Sequence, residues 1–231
     1  MIRPASSASE RAPRLAVLLV SAAALGYEVL LLRLFAIVQW HHLAAMVISL
    51  ALLGYGASGT MLSLAGRRWV DRFSPVFFGC ALLFGWTAVV AFQLAQRLPF
   101  NALELLWTPR QWLYLLFAYV LLGIPFFFAA NCIALAFMRY GDRIPALYGY
   151  DLLGAGIGAV GVLVALFHVA PEQALLGVGL LGIAAGLVGV LETRAPGRLR
   201  QVSLAGLAAA SLLALPPAWT ELKPSEFKPL E

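Results

Sequence analysis

Of the 231 residues, 62% are hydrophobic and only 12% are charged, against about 45–50% and about 25% in ordinary soluble domains. A soluble globule of this length cannot hide so much apolar surface, which excludes a soluble enzyme, a disordered chain and a disulfide scaffold. The net charge of +5 does not point to nucleic acid, because the Lys and Arg residues sit in short gaps between apolar runs and not on one polar face.

In chain order, a polar, basic start (residues 1–14, with Arg3, Arg11 and Arg14) precedes seven apolar runs. They are Leu15–Val38, Leu43–Ala65, Pro75–Gln96, Gln111–Met138, Leu147–Val169, Gln173–Leu191 and the short, weak Val202–Pro216. A membrane-spanning helix needs about 20 apolar residues. The first run is too long for the apolar core of a signal peptide. The pattern predicts an all-α fold, a polytopic integral membrane helical bundle of about seven transmembrane helices. Residues 1–14 form the N-terminal tail, 15–216 the membrane domain, and 217–231 a tail or linker. The gap Arg97–Arg110, with Pro99, Asn101 and Pro109, is expected to hold a short surface helix. Pro125 falls inside the fourth run and predicts a kink there. Trp40, Trp69, Trp107, Trp112 and Trp219 fall near run boundaries, where amphipathic rings settle at the headgroups.

Charge gives the bundle a direction. With the N-terminus in the cytoplasm, Arg3, Arg11, Arg14, Arg67, Arg68, Arg72, Arg139, Arg143, Arg194, Arg198 and Arg200 lie inside. Only Arg97, Arg110, Lys223 and Lys228 lie outside. This is the positive-inside pattern. It predicts the bacterial inner membrane, a cytoplasmic N-terminus and, with seven crossings, a periplasmic C-terminus.

Glu28 and Arg33 are the charges deep in an apolar run. Charges at membrane depth normally face the bundle interior and mark functional sites. A spacing of five puts them about 140° apart on a helix, so each is expected to meet a group on another helix, or Arg33 to snorkel to the headgroups. Asn131, mid-run, is the expected hydrogen-bonding partner. Asp151 opens the fifth run and is expected to cap its helix. Glu28, Arg33, Asn131 and Asp151 are thus the expected polar interior. Gly154–Gly158 and Gly182–Gly186 are small-xxx-small pairs that let helices approach closely. Gly154, Gly156 and Ala159 imitate a dinucleotide fingerprint, but that motif needs a strand and a βαβ unit. His41, His42 and His168 are the only metal candidates, and no ligand spacing supports them. Cys80 and Cys132 read as small buried apolar side chains. No catalytic motif is present, and no cofactor is expected.

Several stretches together resemble a known family. They are Gly26-Tyr27-Glu28 through Arg33-Leu34, Leu53-Gly54-Tyr55-Gly56-Ala57-Ser58-Gly59, Pro125-Phe126-Phe127-Phe128, and Leu147-Tyr148-Gly149-Tyr150-Asp151 through Gly158. In this order they resemble the membrane half of bacterial spermidine-synthase-like membrane proteins, also described as fused transporter–spermidine synthase proteins. The resemblance implies a soluble, methyltransferase-type domain after the tail Leu222–Leu230. None of that domain's cofactor-binding or aminopropyl-transfer residues has a match here. The expected function is a membrane module that binds or moves a small molecule, or that anchors such a soluble domain. One alternative is the membrane half of a polyamine aminopropyltransferase-like enzyme. The other is a structural subunit of a larger electron-transfer complex in the membrane. Expected partners are the lipid bilayer and either the soluble domain or other membrane subunits.

Overall fold

The computed structural model describes residues 12–38, 46–99 and 107–193. Among them all regular structure is helical. The helices are α1 (Arg14–Val38), α2 (Met46–Asp71), α3 (Phe73–Ala95), α4 (Pro109–Arg139), α5 (Ile144–Ala165) and α6 (Pro171–Glu192). A single 3₁₀ turn, Gly141–Arg143, leads into α5. All six α-helices are long and apolar enough to cross a membrane. The seventh expected span, Val202–Pro216, lies outside the described residues, as do the Arg97–Arg110 surface helix over most of its length, Trp40 and Trp219.

The helix starts follow simple chemistry. Pro109, Pro145 and Pro171 each stand in the first turn of their helix, where the missing N–H would have had no intrahelical partner and the fixed φ suits the helix. Helix α2 runs past the expected boundary of its apolar run, through Arg67 and Arg68 to Asp71. Polar side chains at a helix end reach water while the backbone goes on satisfying its own hydrogen bonds. Only Arg72 then separates α2 from α3.

Helices α1, α6, α3 and α4 close a ring: α1 packs on α6, α6 on α3, α3 on α4, and α4 back on α1. Helix α5 packs on α1 outside this ring and α2 packs on α4. Buried residues make up 56–61% of the ring spans but 33% of α2 and 22% of α5. Helix α2 also touches α1, and α5 touches α4. The two outer helices therefore stand on the same side of the ring.

The ring interior holds Tyr27, Phe77, Phe84, Phe126, Leu30 and Leu135, all fully buried. The Tyr27 ring meets Phe84 edge-on at 6.5 Å and Phe126 at 5.2 Å. The outer helices dock through glycine. A Cβ on Gly154 would collide with the backbone of Leu18, and one on Gly158 with the backbone of Ala22. These contacts fix α5 parallel to α1. Gly54 of α2 sits where a Cβ would come 2.9 Å from the Gly123 carbonyl and 2.6 Å from Phe126 Cβ, beside Pro125 inside α4. In the ring, Gly182 lies against the Phe84 ring and Gly186 against Ala81 and Phe78. Without a hydrophobic difference between lipid and Leu, close backbone approach of this kind is what holds membrane helices together.

One end of the bundle gathers Arg14, Arg67, Arg68, Arg72, Arg139 and Arg143. There Glu192, the last residue of α6, accepts hydrogen bonds from the Leu15 and Ala16 amides at 3.1 and 3.0 Å. These are amides of the first turn of α1, which have no partner within their own helix. The carboxylate also lies at the positive end of the α1 dipole.

Candidate functional site

The described helices carry very few charges away from their ends. Helix α3 has none, and Arg14 and the charges of α2, α4 and α6 fall in terminal turns, which leaves Glu28, Arg33 and Asp151. At 1.5 Å per residue, Glu28 lies about 21 Å along α1 from Arg14, well inside a hydrocarbon core of about 30 Å. Arg33 lies about 28 Å along, near the far headgroups.

On α1, Ser21, Leu25 and Glu28 follow an i, i+4, i+7 spacing and so share one face. Glu28 and Leu25 are half-buried and Ser21 is buried. Asp151 of α5 and Tyr55 of α2 flank that face. The Ser21 hydroxyl donates to the Asp151 carboxylate and also approaches its own-helix Val17 carbonyl at 2.9 Å. The charges of Glu28 and Asp151 both act on the Tyr55 phenol. The Tyr55 ring rests edge-on against Phe126 at 6.3 Å, and about a third of the residue (37%) remains exposed. Three helices thus bring two carboxylates, a phenol and a hydroxyl to the same side of the ring. Among the described residues, neither Glu28 nor Asp151 forms an ion pair.

The other expected interior residues lie elsewhere. Arg33 is exposed, on a face of α1 turned away from Glu28, and does not pair with it. Asn131 is fully buried but donates from Nδ2 to the Phe127 carbonyl of its own helix at 2.8 Å; it does not reach Glu28 or Arg33. Among the described residues its Oδ1, like Ser58 Oγ and Tyr27 OH, has no hydrogen-bonding partner. Asp151 does not cap its helix. Helix α5 begins at Ile144 with Pro145 in its first turn, which puts Asp151 two turns inside, where its carboxylate turns to Ser21. His41 and His42 lie outside the described residues. His168 is exposed at the end of α5, its Nδ1 3.1 Å from the Val164 carbonyl. Among the described residues no group of three or more His, Cys, Asp and Glu side chains comes together.

Tyr55 was not among the residues expected in the polar interior; its stretch, Leu53–Gly59, stood out only through the family resemblance. Cys80 of α3 and Cys132 of α4 are free, buried thiols, and the Cys132 thiol donates to the Phe77 carbonyl at 3.6 Å, which links α4 to α3.

A second concavity lies near the Arg33 end, between α1, α2, α3 and α4. Its walls include Leu34, Leu50, Phe92, Leu122 and Tyr119, with Gln96 the main polar side chain. Such a lining suits an alkyl chain and offers little to orient a polar ligand. The polar groups of α1, α2 and α5 are the stronger candidate for a polar ligand.

No family model, curated protein or solved structure matches this chain.

Proposed function

We propose that the bundle is an integral membrane module that binds and moves a small molecule, and that the molecule binds on the side of the ring where α2 and α5 stand. The observation that carries this reading is the convergence of Glu28, Tyr55 and Asp151 from three separate helices at membrane depth. Intramembrane carboxylates are expensive and are kept mainly where a ligand or ion is handled. The half-buried Leu25 supplies an apolar floor between Ser21 and Glu28, and the partly exposed Tyr55 gives a ligand a ring and a hydroxyl to meet.

Positive-inside bias puts the arginine-rich end in the cytoplasm, which gives a bacterial inner-membrane protein with its N-terminus inside. Resemblance in the Glu28, Tyr55, Pro125 and Asp151 stretches supports membership of the spermidine-synthase-like membrane proteins. On that basis, anchoring a soluble domain through the Leu222–Leu230 tail, which lies outside the described residues, is a companion role.

The test is ligand-dependent thermal stabilisation. Purified protein and its E28Q variant are screened against a panel of small organic cations, anions and neutral solutes. At a concentration of about 100 times Kd a ligand adds roughly 2.7 kcal/mol, a shift of several degrees in Tm. At least one compound should stabilise the parent chain and lose its effect in E28Q. A panel that moves neither protein, or moves both alike, rejects the reading.

A further inference from the structure

The arginine-rich end of the bundle holds a cavity of about 350 Å³. Among the described residues its walls are Ala12, Arg14, Arg143 and Glu192. They come from the start of α1, the turn before α5 and the end of α6, and meet because α1 packs on both α5 and α6. The two arginines are exposed and Glu192 is half-buried. Glu192 Oε1 and Oε2 each accept one amide hydrogen, from Leu15 at 3.1 Å and Ala16 at 3.0 Å. Each oxygen keeps a second lone pair. The walls thus carry two positive charges and one negative, a net of +1. Asp142, beside Arg143, is exposed and does not line the cavity.

A second observation concerns what surrounds these charges. Next to each charged wall residue stands a large, exposed apolar one: Leu15 after Arg14, Ile144 after Arg143 and Leu191 before Glu192. Tyr148 and Leu152, also exposed, follow Ile144 at spacings of four and so continue one apolar strip along α5. Helix α1 has 25 residues and is about 37 Å long, longer than a hydrocarbon core of about 30 Å. Arg14, its first residue, therefore stands at headgroup level. A charged cavity that opens directly onto an apolar strip suits a ligand with an anionic head and hydrocarbon tails.

We propose that this cavity binds an anionic phospholipid with a glycerol headgroup. The phosphodiester lies between Arg14 and Arg143, since guanidinium groups match phosphate with paired, charge-assisted hydrogen bonds. Its single negative charge neutralises the walls. The headgroup hydroxyls donate to the remaining lone pairs of Glu192, and an acyl chain runs along Ile144, Tyr148 and Leu152. An ethanolamine or choline headgroup brings its own positive charge and leaves the walls unneutralised. Basic pockets between spans hold anionic headgroups on the cytoplasmic side, the side to which the arginine bias assigns this end. Lipid capture here is independent of ligand binding near Glu28.

The full chain, purified in detergent, tests this through its melting temperature as lipid is added. Dioleoyl-phosphatidylglycerol should raise Tm by several degrees, because it binds only the folded state; dioleoyl-phosphatidylcholine at the same mole fraction should not. In R14Q/R143Q the half-saturating concentration of phosphatidylglycerol should rise about tenfold, the equivalent of one charged hydrogen bond. R67Q/R68Q removes the same charge from the exposed end of α2 and should stay within about twofold of the parent. R14K/R143K keeps the charge but loses the guanidinium fork. It should still weaken phosphatidylglycerol binding, which keeps the test decisive where the glutamine pair does not fold. Equal shifts from the two lipids, or equal losses in the two glutamine pairs, mean that diffuse charge attracts the lipid and overturn the site. A shift from inorganic phosphate or glycerol phosphate as large as that from lipid overturns the lipid as its occupant. No shift from phosphatidylglycerol overturns the proposal altogether.

Discussion

At the scale of single residues, two contacts carry expectations that measurement can settle. Gly158 meets the backbone of Ala22 and leaves no room for a Cβ, whereas a Cβ on Gly156, two residues earlier on the same helix, would find nothing within 4 Å. Gly158→Leu should therefore push α5 off α1 and lower the melting temperature in detergent by several degrees, a loss of a few kcal/mol as overpacking typically costs. Gly156→Ala should stay within about 0.5 kcal/mol of the parent. Equal effects from the two substitutions would mean that α5 does not dock through this seam. Glu192 caps α1 from another helix. Glu192→Ala should cost about 0.5–2 kcal/mol, the range of lost helix caps, read as a drop in thermal stability; Glu192→Gln should recover part of it, since an amide oxygen still accepts but no longer meets the dipole with a full charge. No loss in the alanine variant would remove the cap from any account of stability.

Among elements, the pair that matters is α2 and α5. Each is held by one glycine-lined face while most of its surface is exposed; Asp151 of α5 meets Ser21 of α1, and Tyr55 of α2 rests on Phe126 of α4. On α1, Ser21, Leu25 and Glu28 share a face. Pro125 breaks the hydrogen-bond ladder of α4 beside the α2 glycine contact; in a helix interior Pro both removes a bond and clashes with the preceding turn. Pro125→Ala should straighten α4 and move α2 relative to α5. Spin labels placed on exposed positions 64 and 160 should report an altered α2–α5 distance distribution in that variant. Superimposable distributions would show that the proline does not set the spacing of α2 and α5.

For the whole molecule, direction is the open quantity. The structure gathers Arg14, Arg67, Arg68, Arg72, Arg139 and Arg143 at one end and leaves Arg33, Arg97 and Arg110 toward the other. Compartment-sensitive reporters inserted at residue 72 and at residue 141 should both report the cytoplasm, and one at residue 107 the opposite side. The reverse result would invert the bundle, and a mixed result would break the six-span order.

The spans themselves were legible in the sequence because composition and run length answer directly to the solvent, and a bilayer demands about 20 apolar residues per crossing. Six of the expected runs coincide with helices to within a few residues, the longer far end of α2 apart. Glu28 stood out for the same reason, being an ion where lipid excludes ions. What the sequence could not convey was which faces meet. In a membrane both the lipid-facing and the core-facing sides of a helix are apolar, so no polar stripe announces the interior. Asp151 accordingly reads as a helix cap, and Asn131 as a partner for Glu28, until the tertiary arrangement turns one to Ser21 and the other to its own backbone. The sequence by itself determined the solvent, the helices and the depth of the charges, since these depend on local composition. Only the tertiary structure decided that Tyr55 and Asp151 come to the side of the ring where Glu28 lies and that Arg33 does not, because convergence depends on helix rotation and on contacts between residues far apart in the chain, 130 positions for Ser21 and Asp151.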